Sequence, residues 1–575
     1  MNKYVRKLFG MMFQSQQTQQ VVHIQSQPTP ISPEEWRAHW QAKGFPWRTE
    51  PEIDAKRQEE LSKCRAIVPD IEKGIYPFKG MKLSRADVEW LLATHENGRG
   101  PVDWSDEWQR KREGLDLRGA DLRKEDLRAL PLACLIGGMS VEEDLTAQFA
   151  DVDTRLVYLY LEGADLSNAH LEGAKLCGVN LENANLFEAY MQVANLSGSY
   201  LNGAWLDKAH LENADFSDAR LRAANLDEAY LEGAKLRGVW AEGTNLDGAH
   251  LEKTDLRNIH LEKASLKETF LNNADLSYAQ LAGANLHRAH LEGANLTWAH
   301  LEGKCMLAED MPSQEMERVR TWFHGLRWRG MEDVLTFEEG KELQEEFPEE
   351  LPPANLSGAF FDSATLLEKT YLGDRKYGFV SLVDVSWGDT NLSVVNWTKV
   401  KMLGDESTAR QKKTSGDKRG KLVEYQLAVR ANRQLAVALQ DQGLNEDAAR
   451  FAFRAQVLQR KVFWRQLNFW KWSGSALLAL LAGYGYRMWH ILVAYVLVVL
   501  LCAAAYFVLG MYYEPHLSLL EAVLTSVTAF HGRVFSEPFL RPGEPQLWVT
   551  AFEAVAGLIV EGVFIAMLTQ KFFGK

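Results

Sequence analysis

Near the C-terminus the run LTSVTAFHGRVF, residues 524–535, sets His531, Gly532 and Arg533 in succession between two long apolar stretches. Two acids, Glu553 and Glu561, stand inside the second stretch. A charge at the centre of a bilayer costs at least about 2.5 kcal/mol on insertion scales, so such groups face a partner or water. Glu553 and Glu561 are eight residues apart and project from similar faces of a helix. Glu553 falls early in its stretch, near the depth of the preceding loop, so Arg533 or His531 is a candidate partner. The alternatives are a free ring of Arg533 side chains, which repels cations, and an Arg533 that snorkels outward. Glu561 lies deeper, lining a cavity or packing on a neighbouring subunit. Gly557, between the two acids, allows close helix approach.

The elements that must position these groups are apolar helices. Residues 488–513 and 547–573 are each long enough to cross a bilayer at about 1.5 Å per residue. Between them SLLEAVLTSVTAF has helical spacing but is too short to cross. The chain then leaves the helix at HGRVF and returns through SEPFLRPGEP. Irregular backbone at that depth is tolerated only where protein buries it or water reaches it. Before the first span, the segment 467–487 opens on Trp470, Lys471 and Trp472 and reads as a helix lying along the membrane surface. Its GYGYR, 483–487, is too weak to count as a motif. No acid occurs from Ala448 to Tyr513, whereas Arg450, Arg454, Arg460, Lys461, Arg465, Lys471 and Arg487 precede the first span. Lys571 and Lys575 end the chain, so both ends are expected on the cytoplasmic side of a multi-pass inner membrane protein.

Residues 488–573 resemble the two-transmembrane ion channel superfamily, with an outer helix, a pore helix, a filter and an inner helix. The match is carried by Ser526-Val527-Thr528 and by the ending GVFIAMLTQKF. The resemblance implies a pore loop over 517–535, a filter of Thr528, Ala529, Phe530, His531, Gly532 and Arg533, and four subunits about an axis. Potassium channels carry Thr-x-Gly-Tyr-Gly at the filter. The single Gly532 here cannot free that many carbonyls, so the expected permeant ion is an anion or the pore is non-selective.

Upstream, a large apolar residue recurs every fifth position from Leu156 to Leu301, with a small residue, as in Ala164 and Ala169, two places before it. Five is neither the helix period nor the strand period. Roughly thirty such units run without a break. ADLSNAHLEGAKL resembles the pentapeptide-repeat family, which implies a right-handed quadrilateral β-helix, four pentads per coil. Thirty pentads then give a rod of roughly 36 Å at about 4.8 Å per coil. The pattern spans 115–400, with end coils at 117–127 and 380–397 and a charged, helix-like insertion at 304–353. A twenty-residue coil stacks His170, Tyr190, His210, Tyr230, His250, Phe270 and His290 on one face. Histidines two coils apart are too distant to share a metal, so neither metal nor cofactor is expected.

The rest completes a mixed fold. Residues 1–30 are Gln-rich and read as disordered, with no signal peptide. Residues 31–114 are globular and Trp-rich, with a helix starting after Ser84. A polar linker covers 401–420. A helical hairpin covers 421–466, resembling one tetratricopeptide unit, with a stop at Gly443 and Asn445 as N-cap. The net charge of −13 argues against nucleic acid. Cys64, Cys134, Cys177, Cys305 and Cys502 lack metal spacing and read as reduced. No phosphate loop or nucleophile constellation points to an enzyme. The expected function is a membrane ion channel gated by the cytoplasmic repeat domain through a ligand or protein partner. The alternative is a membrane-anchored scaffold that binds a partner through Glu columns at 162, 172, 182, 212, 232, 242, 252 and 262.

Overall fold

The computed structural model describes residues 33–70, 73–140, 143, 157–302, 353–374, 378–410, 418–482, 489–513, 517–533 and 545–573. The expectations for 1–30, for most of the insertion at 304–353 and for GYGYR lie outside these residues.

The five-residue period is a turn period. Leu161 accepts from the Ala164 amide at 3.0 Å, closing a turn whose third residue, Gly163, has φ +65°. Each pentad from Gly163 to Trp298 repeats that left-handed residue two places after its apolar position. Isolated parallel bridges join residues twenty apart, as in Asp165 with Asn185 and Asn185 with Trp205. One coil therefore takes twenty residues, and its backbone groups pair with the coils on either side. The Leu and the small residue both point inward: Leu166, Ala169, Leu171 and Ala174 are fully buried. Each buried Leu contributes about 1.5–3 kcal/mol. Where Thr replaces the small residue, its hydroxyl bonds a carbonyl of the coil below, as Thr244 does to Leu221 at 2.7 Å. That keeps the core free of an unpaired hydroxyl.

The chain leaves the rod and returns without losing phase. Ala354 donates to the Leu301 carbonyl at 2.8 Å, completing the turn as if the intervening residues were absent. Asn285 then bridges Asn355, seventy residues on instead of twenty. A second excursion follows Gly138, after which Asp121 bridges Tyr160. A third is a two-residue hairpin, β1 (Gly373–Asp374) with β2 (Gly378–Phe379).

Both rod ends are covered, as unpaired coil edges require. At the N-terminal end stand α1 (Pro33–Ala42), α2 (Ala55–Arg65) and α3 (Arg85–Ala93), the last opening on a capping box between Ser84 and Asp87. Lys82 bridges Asp121, and Arg85 reaches the carbonyls of Asp126 and Arg128. Fully buried Glu89 holds Arg85 and accepts from the amides of Thr49 and Glu50. At the far end α4 (Gly404–Arg410) lies where the sequence predicts only polar linker. Its Asp405 accepts from the Leu382 amide at 2.8 Å. Gln434 of α5 (Lys418–Asp441) and Gln442 just past its end accept from the amides of Asp384 and Leu392. These side chains take the bonds a further coil would have made.

α5 packs along α6 (Asn445–Arg465), and residues of both join the rod's hydrophobic core. Gly443 has φ +76° between them, but the N-cap of α6 is Leu444, and Asn445 is the first helical residue rather than the cap. Then come α7 (Phe469–Ala482), α8 (Trp489–Tyr512), α9 (Leu519–Phe530) and α10 (Pro545–Phe573). α8 and α10 are long and apolar enough to cross a membrane, and α9 is not.

Candidate functional site

The short helix α9 is held between α8 and α10. It begins on a capping box, Ser518 with Glu521. It ends by a Schellman stop: Gly532, at φ +69°, donates to the Ala529 carbonyl, and Arg533 donates to the Thr528 carbonyl, both at 2.9 Å. Of the six residues expected as a filter, three lie within the helix. Thr528, Ala529 and Phe530 form the last helical turn, and the carbonyls of Thr528 and Ala529 are bonded within it. The Thr528 hydroxyl also turns back, to Leu524 and Thr525. Only His531, Gly532 and Arg533 lie beyond the helix among the described residues, and the return through 534–544 falls outside them.

The close approach of α9 to α10 depends on Gly557. A Cβ there would stand 1.8 Å from the Phe530 carbonyl oxygen, so no other residue fits without moving the helix end. Phe530 is buried, edge-on to Tyr495 of α8 at 4.8 Å between ring centres.

The two acids of α10 find partners different from those expected. Glu553 is fully buried and does not meet Arg533 or His531. Its carboxylate contacts the hydroxyl of Ser526, itself fully buried, which donates to the Val499 carbonyl of α8 at 2.9 Å. Tyr506 and Cys502 face the same carboxylate, and Tyr506 bonds Thr550 at 3.0 Å. Glu553 therefore ties three helices together. Glu561 reaches His531, with Nδ1 and Oε1 2.6 Å apart and both side chains about half exposed. Arg533 is exposed. Ser526 is the residue the sequence reading left without a role. Its only signal was a small hydroxyl on the otherwise apolar face of a short helix.

On the rod the ring ladder is present. His170, Tyr190, His210, Tyr230, His250, Phe270 and His290 stack nearly parallel, ring centres 4.7–5.2 Å apart, and Phe360 extends the stack. A second stack contains Trp240 on His260 and His300 on Tyr371. Glutamates two residues after each histidine turn toward it: Glu172 lies 2.9 Å from His170 and Glu302 3.0 Å from His300. The Glu172 hydrogen bond raises the His170 pKa above the ordinary histidine value. The Glu columns are thus partly engaged with the rod's own rings, and Glu172, Glu242 and Glu262 are buried.

Comparison with known proteins bears on the rod alone. The family described as Pentapeptide repeats matches residues 155–192, 164–203, 194–233, 224–267 and 269–303, so the chain carries pentapeptide repeats. HetL, a pentapeptide repeat protein involved in heterocyst differentiation regulation in Nostoc sp. strain PCC 7120, is 21% identical over 54% of this chain and 92% of its own, with a TM-score of 0.24. Full-length QnrB1, a plasmid-mediated fluoroquinolone resistance protein, is 13% identical over 48% of this chain and 95% of its own, with a TM-score of 0.18. Rfr23 of Cyanothece 51142 is 24% identical over 29% of this chain and 85% of its own, with a TM-score of 0.14. No curated protein matches the sequence.

Proposed function

We propose that this chain is a subunit of a membrane pore whose opening is set by its pentapeptide-repeat rod. The observation that carries the reading is α9: a twelve-residue apolar helix, too short to cross a bilayer, seated on Gly557 between two helices that are long enough. It delivers His531, Gly532 and Arg533 to one level beside Glu561. A tethering anchor needs no such half-helix and no polar group at its end. In this reading the rod is the right-handed four-sided coil of its repeat type, and the rod and both termini lie on the cytoplasmic side of the inner membrane. Four subunits meet about an axis, and the apolar outer faces of α8 and α10, with Leu492, Leu501, Phe552 and Leu558 exposed, meet lipid or a neighbouring subunit.

The carbonyls of Thr528 and Ala529 are spent on the helix stop, so ions are chosen by side chains. Arg533 is the exposed cation at that level and favours anions, while the His531–Glu561 pair offsets part of its field. The test is flux from liposomes holding the purified chain, comparing chloride, potassium and sodium. We expect chloride flux at least equal to cation flux, with Arg533→Ala shifting preference toward cations. If wild type and variant are both silent under all conditions, and a chain lacking 488–575 retains partner binding in soluble form, the chain is a tethered scaffold instead.

A further inference from the structure

Apart from the membrane helices, the ring ladder carries a cluster that its repeat does not require. Glu232, His250 and Glu252 bring one ligand atom each within 4.8 Å of one another. Ladder histidines two coils apart are too distant to share a metal, but carboxylates on His250's own coil and on the coil below are not. His250 Nδ1 lies 3.6 Å from Glu252 Oε1. That is too long for a hydrogen bond and close to the separation of about 3.3 Å between two ligands of one tetrahedral ion with bonds near 2.0–2.1 Å. His170 and Glu172 sit at hydrogen-bond distance, whereas His210 and Glu212 share the 3.6 Å spacing but lack a third ligand.

Two further observations point to a ligand. Glu232 Oε2 and Glu252 Oε2 are both shut off from solvent and without a hydrogen-bond partner. The same oxygen is without a partner at Glu172, Glu212 and Glu302, so what sets this cluster apart is two such carboxylates gathered about one imidazole. Stacked carboxylates with unpaired buried oxygens repel one another unless a cation lies between them. The His250 ring is also fixed, held between Tyr230 at 5.2 Å and Phe270 at 4.7 Å. A ligand ring held in one plane is what a metal site requires.

The neighbouring coils show why the cluster forms once. His210 has its own Glu212, but the coil below it carries Gln192. His290 has Glu292, but the coil below carries Asn272, which already donates to Glu292 Oε2 at 2.8 Å. Within this ladder, among the described residues, only His250 has an acid on both coils; His260 of the second stack has Glu262 and Glu242, but Arg222 already engages Glu242 at 3.1 Å. We infer that Glu232, His250 and Glu252 bind a divalent cation of the zinc class, with two carboxylate oxygens and one imidazole nitrogen, and water completing the shell. The inference is independent of the pore.

The test uses the full chain in detergent, freed of metal with a chelator and titrated calorimetrically with zinc chloride. Cobalt(II) absorption reports the ligand geometry. Wild type should bind one zinc ion at this site. Glu232→Gln should weaken it by at least about tenfold and abolish the cobalt bands assigned to it. Gln192→Glu should build a second copy at His210 and raise the stoichiometry by one. Far-ultraviolet circular dichroism checks that the rod of each variant is intact. No saturable binding by wild type overturns the assignment. So does zinc binding unaltered by both substitutions in intact rods, which would place the ion elsewhere.

Discussion

At the scale of single residues, the rod is a series of turns that each demand one left-handed residue. Gly and Asn adopt that conformation readily, and many turns use them, as at Gly203 and Asn213. Val193 does not fit the rule. It has φ +61°, is β-branched, and leaves its side chain 55% exposed. The left-handed conformation costs such a residue roughly 1–2 kcal/mol, and an exposed side chain recovers little by burial. Val193→Asn is therefore expected to stabilise the rod by about 1 kcal/mol, read as a higher urea midpoint at unchanged slope. An unmoved midpoint would show that Val193 makes compensating contacts. Asp405 offers a second single-residue prediction. Burial lifts its pKa to about 6 from an ordinary 3.8, against the bond it accepts from Leu382. Since the folded value is the higher, the stability linked to this group is full below about pH 3.8. It is lost as pH rises through about 6, a difference of about 3 kcal/mol by pH 7. Asp405→Asn keeps an acceptor and removes the charge. It should flatten stability between pH 4 and 6 and leave the protein about 1 kcal/mol more stable at pH 7, measured by denaturant melts across that range.

At the scale of elements, the five-residue period was legible because each pentad restates it: a buried apolar residue, most often Leu, a second buried residue, most often small, and a turn. The ladder was legible for the same reason, since a coil of twenty residues fixes which rings meet. The contacts among α8, α9 and α10 were not. Depth along α10 follows from sequence position, but a partner depends on how the helices are rotated about their axes. Glu553 lies at a depth that permits Arg533, yet it points to Ser526 and the Val499 carbonyl. His531 instead meets Glu561, about two turns farther along the helix. The local backbone at Gly532 was ambiguous because a glycine after a short helix serves equally as a pore-loop hinge and as a helix stop. The bonds from Gly532 and Arg533 decide for the stop. Gly557 is the element-level test of this packing. Gly557→Ala sets a methyl against the Phe530 carbonyl, so α9 must back away from α10. A cysteine cross-linking or hydrogen-exchange readout on α9 should show lost protection at Ser526–Phe530, with the rod's circular dichroism unchanged. Protection equal to wild type would mean that the seat of α9 does not depend on Gly557.

At the scale of the whole molecule, the question is how a stimulus on the rod could reach α8 to α10. The last coil and the hairpin share one core: Phe451 of α6 is fully buried and edge-on to Trp397 at 6.0 Å between ring centres. Beside it the almost fully buried Glu406 of α4 pairs with Arg454 of α6 at 2.8 Å, and Arg450 donates to the Trp397 carbonyl. Removing one partner of so buried a pair costs about 3–5 kcal/mol, so this joint resists sliding. Past Arg465 the chain turns at Leu467, φ +57°, and Trp464 packs on Phe469 and Trp472 of α7. α7 in turn contacts both α8 and α10. The path from the rod to α8 and α10 is thus packed side chains and helices, the physical requirement for coupling. Phe451→Ala opens a cavity in the joint at a cost of about 3–5 kcal/mol. The rod, whose coils pair with one another, should keep its own melting transition. Hydrogen exchange in α5 and α6 should rise together, showing that the hairpin has come loose from the coil. If the rod sets the pore's opening, the same variant should change the amount of ion flux while leaving its chloride-to-potassium ratio as in wild type. A ratio that moves with Phe451, more than 60 residues from α9, would mean that the joint shapes the pore itself rather than transmitting the state of the rod.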